Sequence, residues 1–407
     1  MLVYRHSARE YLLSFVVAFI FFFFIFFINQ ILLLAQKILI KQVDYRSVLT
    51  LVLLSVPQFL LYTFPFASLT ASSMVIGDFG ANNELLALRS SGISLFRVFT
   101  PIIAISLLFS ALTFFTADVL IPFSAREYRS LYAELMRDLP TLEIRANATN
   151  TIGSRTITNR AVDGSRIYDL VMLEQEGTRS GQVITAPSAE ITVADLSAFI
   201  YRLDVEEPTI LKSEQGSGWT LSTADRATVM LNFSGQVASL ASAMPSQLSI
   251  AELKEMIAQH KEILQGDQER HQRKIEDVKE QIQALGEGGS PERRQALEEN
   301  LADLIAYPPV NFYYRYYRAE LSKKYALSAA CTLLVLLTFS LSFFRLKHGR
   351  LIGFGLSMLA SVLYWYILFF SQMQIFESSL PVELWIWLAN IIMTLFGLIG
   401  MIRTRRL

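Results

Sequence analysis

Cysteine is nearly missing from this chain: Cys331 is the one thiol among 407 residues, and it sits inside an apolar run. That excludes a disulfide framework and comes close to excluding a cysteine-built metal centre. Histidine is scarce too. His6, His260, His271 and His348 lie far apart without metal-ligand spacing, and they read as solvated side chains rather than ligands. Net charge is zero, so no overall field draws the chain toward nucleic acid, and any charge argument must be local. The motifs of common catalysis are absent as well: no G-x-x-x-x-G-K-S/T loop to cradle a nucleoside triphosphate, no H-E-x-x-H, no G-x-S-x-G. The expectation is a chain that does not hydrolyse ATP itself and carries no cofactor or metal of its own.

Apolar residues are what the sequence has in abundance, at 52% of the chain, and they are gathered into long runs. Runs of about twenty uncharged residues signal bilayer crossings. Six such spans are read at residues 11–35, 48–76, 98–117, 325–344, 351–372 and 382–402. The first is too long for a signal peptide and lacks a small-residue cleavage site, so it is taken as a retained helix. The second is broken by Pro57 and Pro65, which membrane helices tolerate as kinks. None of the spans carries a charged residue near its centre, where the cost would be about 2.5–3.5 kcal/mol. A proton relay has no buried ionisable groups to use, which disfavours a proton-driven carrier.

Lys and Arg in the short loops give sidedness. Arg5 and Arg9, Arg89 and Arg97, Arg345 with Lys347 and Arg350, and Arg403 with Arg405 and Arg406 fall on one side. The positive-inside rule makes that side cytosolic, with both termini on it and the long insert after the third span facing outward. One outer loop breaks the rule. Residues 36–47 carry Lys37, Lys41 and Arg46 against Asp44. Two readings stand: side chains snorkelling at a helix end, or a cationic rim for anionic head groups and phosphates.

In the insert, residues 142–233 change to short alternating segments, for example 155–162, 166–173, 183–186, 190–193 and 228–233. Turn residues separate them at Asp163-Gly164, Gly177 to Gly181, and Gly216-Ser217-Gly218. That spacing predicts an antiparallel sandwich, jelly roll or partly open barrel. Its interior is either a container for acyl chains or an ordinary filled core. Residues 248–285 are charged, with apolar residues at helical spacing and a phase slip near Gly266. After a turn at 286–290, Pro291 suits the first position of a second helix, and the pair reads as a helical hairpin arm. The run from Phe312 to Arg318, Tyr- and Arg-rich, reads as an interfacial anchor.

Between the second and third spans, residues 78–92 predict a short helix capped by Asn82 or Asp78 and ended by Gly92. Ala81, Leu85 and Leu88 share one face, Glu84 and Ala87 another. Such a helix either lies on the membrane surface or is the lever by which a cytosolic motor moves the spans.

The run Glu84-Leu85-Leu86-Ala87-Leu88-Arg89-Ser90-Ser91-Gly92-Ile93-Ser94 resembles the coupling-helix signature of the LptF/LptG permeases. Leu54-Ser55-Val56-Pro57, Phe64-Pro65-Phe66, Ile121-Pro122 and Gly349-Arg350-Leu351-Ile352-Gly353-Phe354 are similar to further family segments. The likeness covers nearly the whole chain except the arm, and Ser328 and Ala389 stand where the family pattern has proline. The resemblance implies a membrane α-helical protein of six transmembrane helices with an inserted periplasmic all-β jellyroll-like domain. Domains are expected at 1–124 (three helices with the coupling helix), 125–247 (β-jellyroll), 248–306 (arm) and 307–407 (three helices). It implies a non-catalytic permease subunit in the bacterial inner membrane that extracts lipopolysaccharide and passes it to a periplasmic bridge. Its implied partners are a second LptF/LptG-type permease, a cytosolic LptB-like ATPase dimer binding ATP and Mg, and LptC/LptA-like bridge proteins. Glu84, Leu85, Leu88, Arg89 and Gly92 are the expected ATPase-coupling residues; Lys37, Lys41 and Arg46 are expected to meet lipid phosphates. Two rivals remain, a non-transporting scaffold or envelope receptor and an ion-driven lipid carrier; the helix with Glu84 favours the permease.

Overall fold

The computed structural model describes residues 2–38, 44–138, 147–152, 155–176, 180–195, 200–214, 218–232, 243–285, 291–341, 349–378 and 380–405. Among them are ten α-helices: α1 (Leu2–Ile38), α2 (Tyr45–Ala81), α3 (Glu84–Ser90), α4 (Leu95–Phe115), α5 (Ile121–Asp138), α6 (Ile250–Ala284), α7 (Pro291–Ala306), α8 (Phe312–Leu341), α9 (Gly349–Glu377) and α10 (Val382–Arg405). Six helical stretches are long and apolar enough to cross a bilayer, at Val3–Asn29, Tyr45–Ala81, Phe96–Leu135, Phe312–Thr338, Gly349–Glu377 and Val382–Ile402. The second runs unbroken through Pro57 and Pro65. The chain divides into two compact units.

Unit 1 holds Met1–Phe22, Leu60–Val119 and Pro245–Leu407. α8 is its hub. Its apolar window is 56% buried, against 22–33% for the other five membrane-length stretches. Close backbone approach makes this possible. A Cβ on Gly397 would meet Leu336 backbone at 2.6 Å, and one on Gly400 would meet Ser340. Small residues let membrane helices approach where no hydrophobic drive exists between them. Hydroxyls then join the helices: Tyr11 to Ser68 at 2.6 Å, Ser68 Oγ donating to the Cys331 carbonyl at 2.8 Å, and Ser72 to Thr338 at 2.8 Å. The inward face of α1 is Tyr11, Phe15, Ala18 and Phe22, while Leu12, Leu13, Val16 and Val17 point outward and stay exposed. So much exposed apolar surface calls for lipid or partner helices.

α8 starts at Phe312, so the aromatic-basic run is its first two turns rather than a segment before it. These charges are satisfied inside the unit. Arg318 Nε and Nη2 donate to the two carboxylate oxygens of Glu383 of α10, at 2.9 and 2.7 Å, and Arg315 donates to the carbonyls of Ile375 and Ser378. Lys323 pairs with Glu320 at 2.6 Å, and the buried Lys324 Nζ donates to the Ala117 carbonyl. These groups lie just before the fourth span as read at 325–344, but the membrane-length stretch runs from Phe312 to Thr338 and so takes in the buried Glu320 and Lys324. Ala117 lies in a π-turn, Thr116–Leu120, just before Pro122. Proline cannot donate to the carbonyl four residues back and its ring crowds it; widening the turn relieves both.

The arm, α6 and α7, belongs to unit 1. α6 runs straight through Gly266 and opens on a capping box, Ser249 with Glu252. Asp118 accepts from the Ile250 amide at 2.7 Å, and His260 packs beside the rings of both Tyr313 and Tyr317.

Unit 2 holds Phe23–Phe59 and Leu120–Met244. Its described residues form nine strands, β1 (Thr149–Ile152), β2 (Arg155–Thr158), β3 (Ala161–Asp163), β4 (Arg166–Glu176), β5 (Ser180–Asp195), β6 (Ile200–Glu206), β7 (Thr209–Glu214), β8 (Gly218–Thr223) and β9 (Arg226–Asn232). They form one antiparallel sheet, open rather than barrel-closed, in the order β1-β2-β4-β5-β6-β9, with β3 on β4 and the β7-β8 hairpin on β5. The long β5 changes partner along its length, pairing β7 through Thr185 and β6 from Ser188. Pro187 sits at that switch, opposite Asp169, whose φ is +52°. A proline lacks the ladder donor and is tolerated where pairing lapses. The inner face is filled by Ile157, Ile167, Met172, Ile184, Ile191, Tyr201, Leu203 and Val205. Tyr128, Leu131, Tyr132 and Leu135 of α5, and Val48, Leu51 and Val52 of α2, cover it.

Candidate functional site

The exposed helix α3 is built by three local devices. α2 ends at Ala81, and the Asn82 amide still bonds to the Asp78 carbonyl at 3.0 Å, so Asp78 belongs to α2 and does not cap α3. The chain then turns through Asn83, whose φ of +55° asparagine tolerates, and the Asn83 carbonyl accepts from Ala87. At the far end Gly92 has φ +75° and the Ile93 amide bonds to the Leu88 carbonyl at 2.9 Å. That is a Schellman closure, and the left-handed residue it needs is the reason for glycine, since a Cβ there would meet nothing within 4 Å.

α3 turns its apolar edge inward. Leu85 is buried among Phe79, Val98, Phe99 and Ile102, and Leu88 packs on the same cluster. These two expected coupling residues therefore help seat the helix, Leu85 buried and Leu88 partly so. The outward edge is Glu84, Leu86, Ala87 and Ser90, with Leu86 61% exposed. Leu86 is not among the residues singled out from the sequence. Its signal is there, as the apolar residue off the Leu85–Leu88 stripe. For Arg89 only the backbone, within α3, is described. Glu84 has a neighbour within the chain: His6 Nε2 of α1 lies 3.4 Å from its carboxylate, and the His6 ring stacks on Phe79 at 5.4 Å.

Around α3 the helix ends are tied together. Arg350, in the first turn of α9, places Nη2 at 2.5 Å from Glu10 of α1 and 3.0 Å from Asp78 of α2. One turn along, Gly353 lies against α2 so closely that a Cβ would sit 2.3 Å from the Ser73 carbonyl oxygen, and Ser73 Oγ donates to the Gly353 carbonyl at 2.6 Å. The Gly349-to-Phe354 segment thus has a structural meaning that its sequence alone does not carry.

The expected phosphate-binding group is less fully drawn. Lys41 lies outside the described residues, and of Lys37 only the helical backbone is described. Arg46 is exposed on the first turn of α2, its Nε donating to Tyr45 Oη at 3.3 Å and its guanidinium over the same ring. Among the described residues no three His, Cys, Asp or Glu side chains are grouped as a metal would need.

A comparison with curated proteins gave no individual match. The profile of the lipopolysaccharide export system permease LptF/LptG family, by contrast, matches residues 5–403. That span takes in α3, the Arg350 tie, the sheet and all six membrane-length stretches, so this multi-pass inner-membrane chain belongs to the LptF/LptG family of lipopolysaccharide export permeases.

Proposed function

We propose that this chain is one permease half of a transporter that lifts lipopolysaccharide, or a similar anionic glycolipid, out of the inner membrane. A second permease of the same family lines the other side of a lipid cavity. Two copies of a separate ATPase bind ATP and Mg on the cytosolic side, where both termini of this chain lie. The lipid then passes by way of the periplasmic sheet to a periplasmic bridge. The observation that carries this reading is the seating of α3: apolar residues hold it to the bundle while Glu84 and Leu86 face out, the arrangement a motor subunit needs to push on a lever. A partner's basic residue takes Glu84 in place of His6.

The test is Glu84→Arg, which sets a cation against that partner group. Membrane insertion should be normal, ATP-dependent lipid release should fall to background, and normal release would remove the lever role. Lys37, Lys41 and Arg46 supply charge for the lipid phosphates by the loop's excess of cations where the positive-inside rule disfavours them. Lys37→Glu with Lys41→Glu should reduce lipid photocrosslinking, and unchanged crosslinking would leave those lysines as snorkelling helix ends.

A further inference from the structure

We propose that Arg350 is a positioning residue that clamps three helix ends into one body beneath the lever, so that a push on α3 moves α1, α2 and α9 together. The inference deepens the transporter reading above and rests on it for its transport consequences. Its basis is geometric. A single guanidinium nitrogen reaches Glu10 at 2.5 Å and Asp78 at 3.0 Å, and these acids stand on different helices. Only Asn82 and Asn83 separate α2, which carries Asp78, from α3. α1, which carries Glu10, also presents His6 to Glu84. The two contacts therefore join the helix before the lever to the helix beside it, through a third.

The clamp is spring-loaded by charge. Glu10 and Asp78 share one nitrogen, so their carboxylates stand close together and repel whenever the cation is missing. Both are largely covered, with 17% and 24% of the side chain exposed, so water screens that repulsion only in part. The tight seam at Gly353 keeps α9 against α2, and the Arg350 side chain extends that hold to α1. Without it, His6 is the remaining polar tie described between α1 and α3, and it is half exposed.

The test uses the full chain purified from its native membrane with its bound subunits, reconstituted in vesicles, with fluorescent lipopolysaccharide as the probe. Three variants are compared: Arg350→Gln, Arg350→Lys, and Glu10→Gln combined with Asp78→Asn. The last removes the clamp while leaving every Lys and Arg in place. Lipid moved per ATP should drop by about tenfold in the first and third, within the range known for coupling between distant sites. Their ATP hydrolysis should stay near the wild-type rate. Arg350→Lys keeps the charge between the two acids and should keep most of the coupling. A second readout needs no transport. Spin labels at Tyr4→Cys and at Ser91→Cys, an exposed position at the end of α3 away from the Glu84–Leu86 edge, report the α1–α3 distance, with Cys331 fully buried. That distance distribution should broaden in Arg350→Gln and in the double variant but not in Arg350→Lys. Wild-type coupling and an unchanged distribution in Arg350→Gln would overturn the clamp, and so would Arg350→Lys behaving like Arg350→Gln. If the wild-type complex moves no lipid on ATP, the transporter reading fails instead, and the distance measurement still decides the clamp.

Discussion

Both units fill their interiors with large apolar side chains, but they join their elements by different rules. Unit 2 is closed by large apolar side chains in alternation: Tyr201, Leu203 and Val205 are fully buried on β6, while Arg202 and Glu206 face out. Unit 1 holds large rings too, among them Tyr11, Phe15, Phe79, Phe99 and Phe109, but its helices are drawn together by small residues and hydroxyls, with Gly353, Gly397 and Gly400 against neighbouring backbone and Ser68, Ser72 and Ser73 bonded across helices. The first rule follows from water, which rewards removal of apolar area at roughly 25 cal/mol per Å². The second follows from lipid, where an apolar side chain gains little by leaving one greasy neighbour for another and contact distance decides instead. The difference teaches what each unit is suited to. Helices that meet through small-residue seams are suited to shifting as units, as the proposed lever mechanism requires, whereas the strands of unit 2 are locked in register by their ladder of hydrogen bonds.

The largest expected effect comes from forcing one unit's rule on the other. Gly353→Ala adds a Cβ at 2.3 Å from a backbone oxygen, which cannot swing aside as a side-chain tip would. Overpacking of this kind costs about 1–3 kcal/mol and exceeds the roughly 1 kcal/mol that alanine gains over glycine within a helix. Two residues on, Gly355 has nothing within 4 Å, so Gly355→Ala should stabilise the same helix by about 0.5–1 kcal/mol. Unfolding of both variants in nanodiscs reads the contrast directly. Equal shifts of the same sign would mean that α9 and α2 do not meet this closely.

That seam also marks where sequence reasoning stops. The six membrane helices are legible because apolar runs of that length are stable in few settings besides a bilayer, and the sheet is legible from alternation between turn residues. The extension of the third helix as α5 is not. Past Ala117 the apolar run gives way to Arg126, Glu127 and Arg129, and the inward face of Tyr128, Leu131, Tyr132 and Leu135 shows only at helical spacing. β5 reads as two short strands in the sequence because Pro187 looks like a break, and only its pairing shows that the proline marks a change of partner. At the site, Glu84 is visible in a contiguous motif. The role of Arg350 is not, since Glu10 and Asp78 lie 340 and 272 positions away and nothing local to Arg350 names them. Leu85 and Leu88 fall on one face as expected, and the structure adds that this face is the inward one, because periodicity tells which residues share a side and not which side faces the core.

The smallest expected effect belongs to unit 2 and concerns acid. Burial alone would push the Glu174 carboxyl upward, but hydrogen bonds from Arg155 and Gln182, with the Arg155 charge, more than offset it and hold the group below the ordinary glutamate range. Arg155 reaches Glu174 Oε1 at 2.8 Å and also donates to the Met230 carbonyl of β9, a strand three places away from β4 in the sheet order. The carboxylate thus orients a cation that spans the sheet's open side. A folded-state value below the unfolded one means the contribution is complete above the unfolded value near pH 4.3 and is lost as pH falls through the lower folded value. Wild-type unit 2 should therefore lose stability below about pH 4.3. Glu174→Gln should be somewhat less stable at neutral pH and lose less on acidification, so that the two converge in acid. Urea unfolding followed by Trp219 fluorescence, with Trp365, Trp385 and Trp387 replaced by phenylalanine, reports on this unit alone. If the gap between the proteins is the same at pH 3 and pH 7, Arg155 is held by the sheet's packing rather than by the carboxylate, and the open side is closed without help from charge.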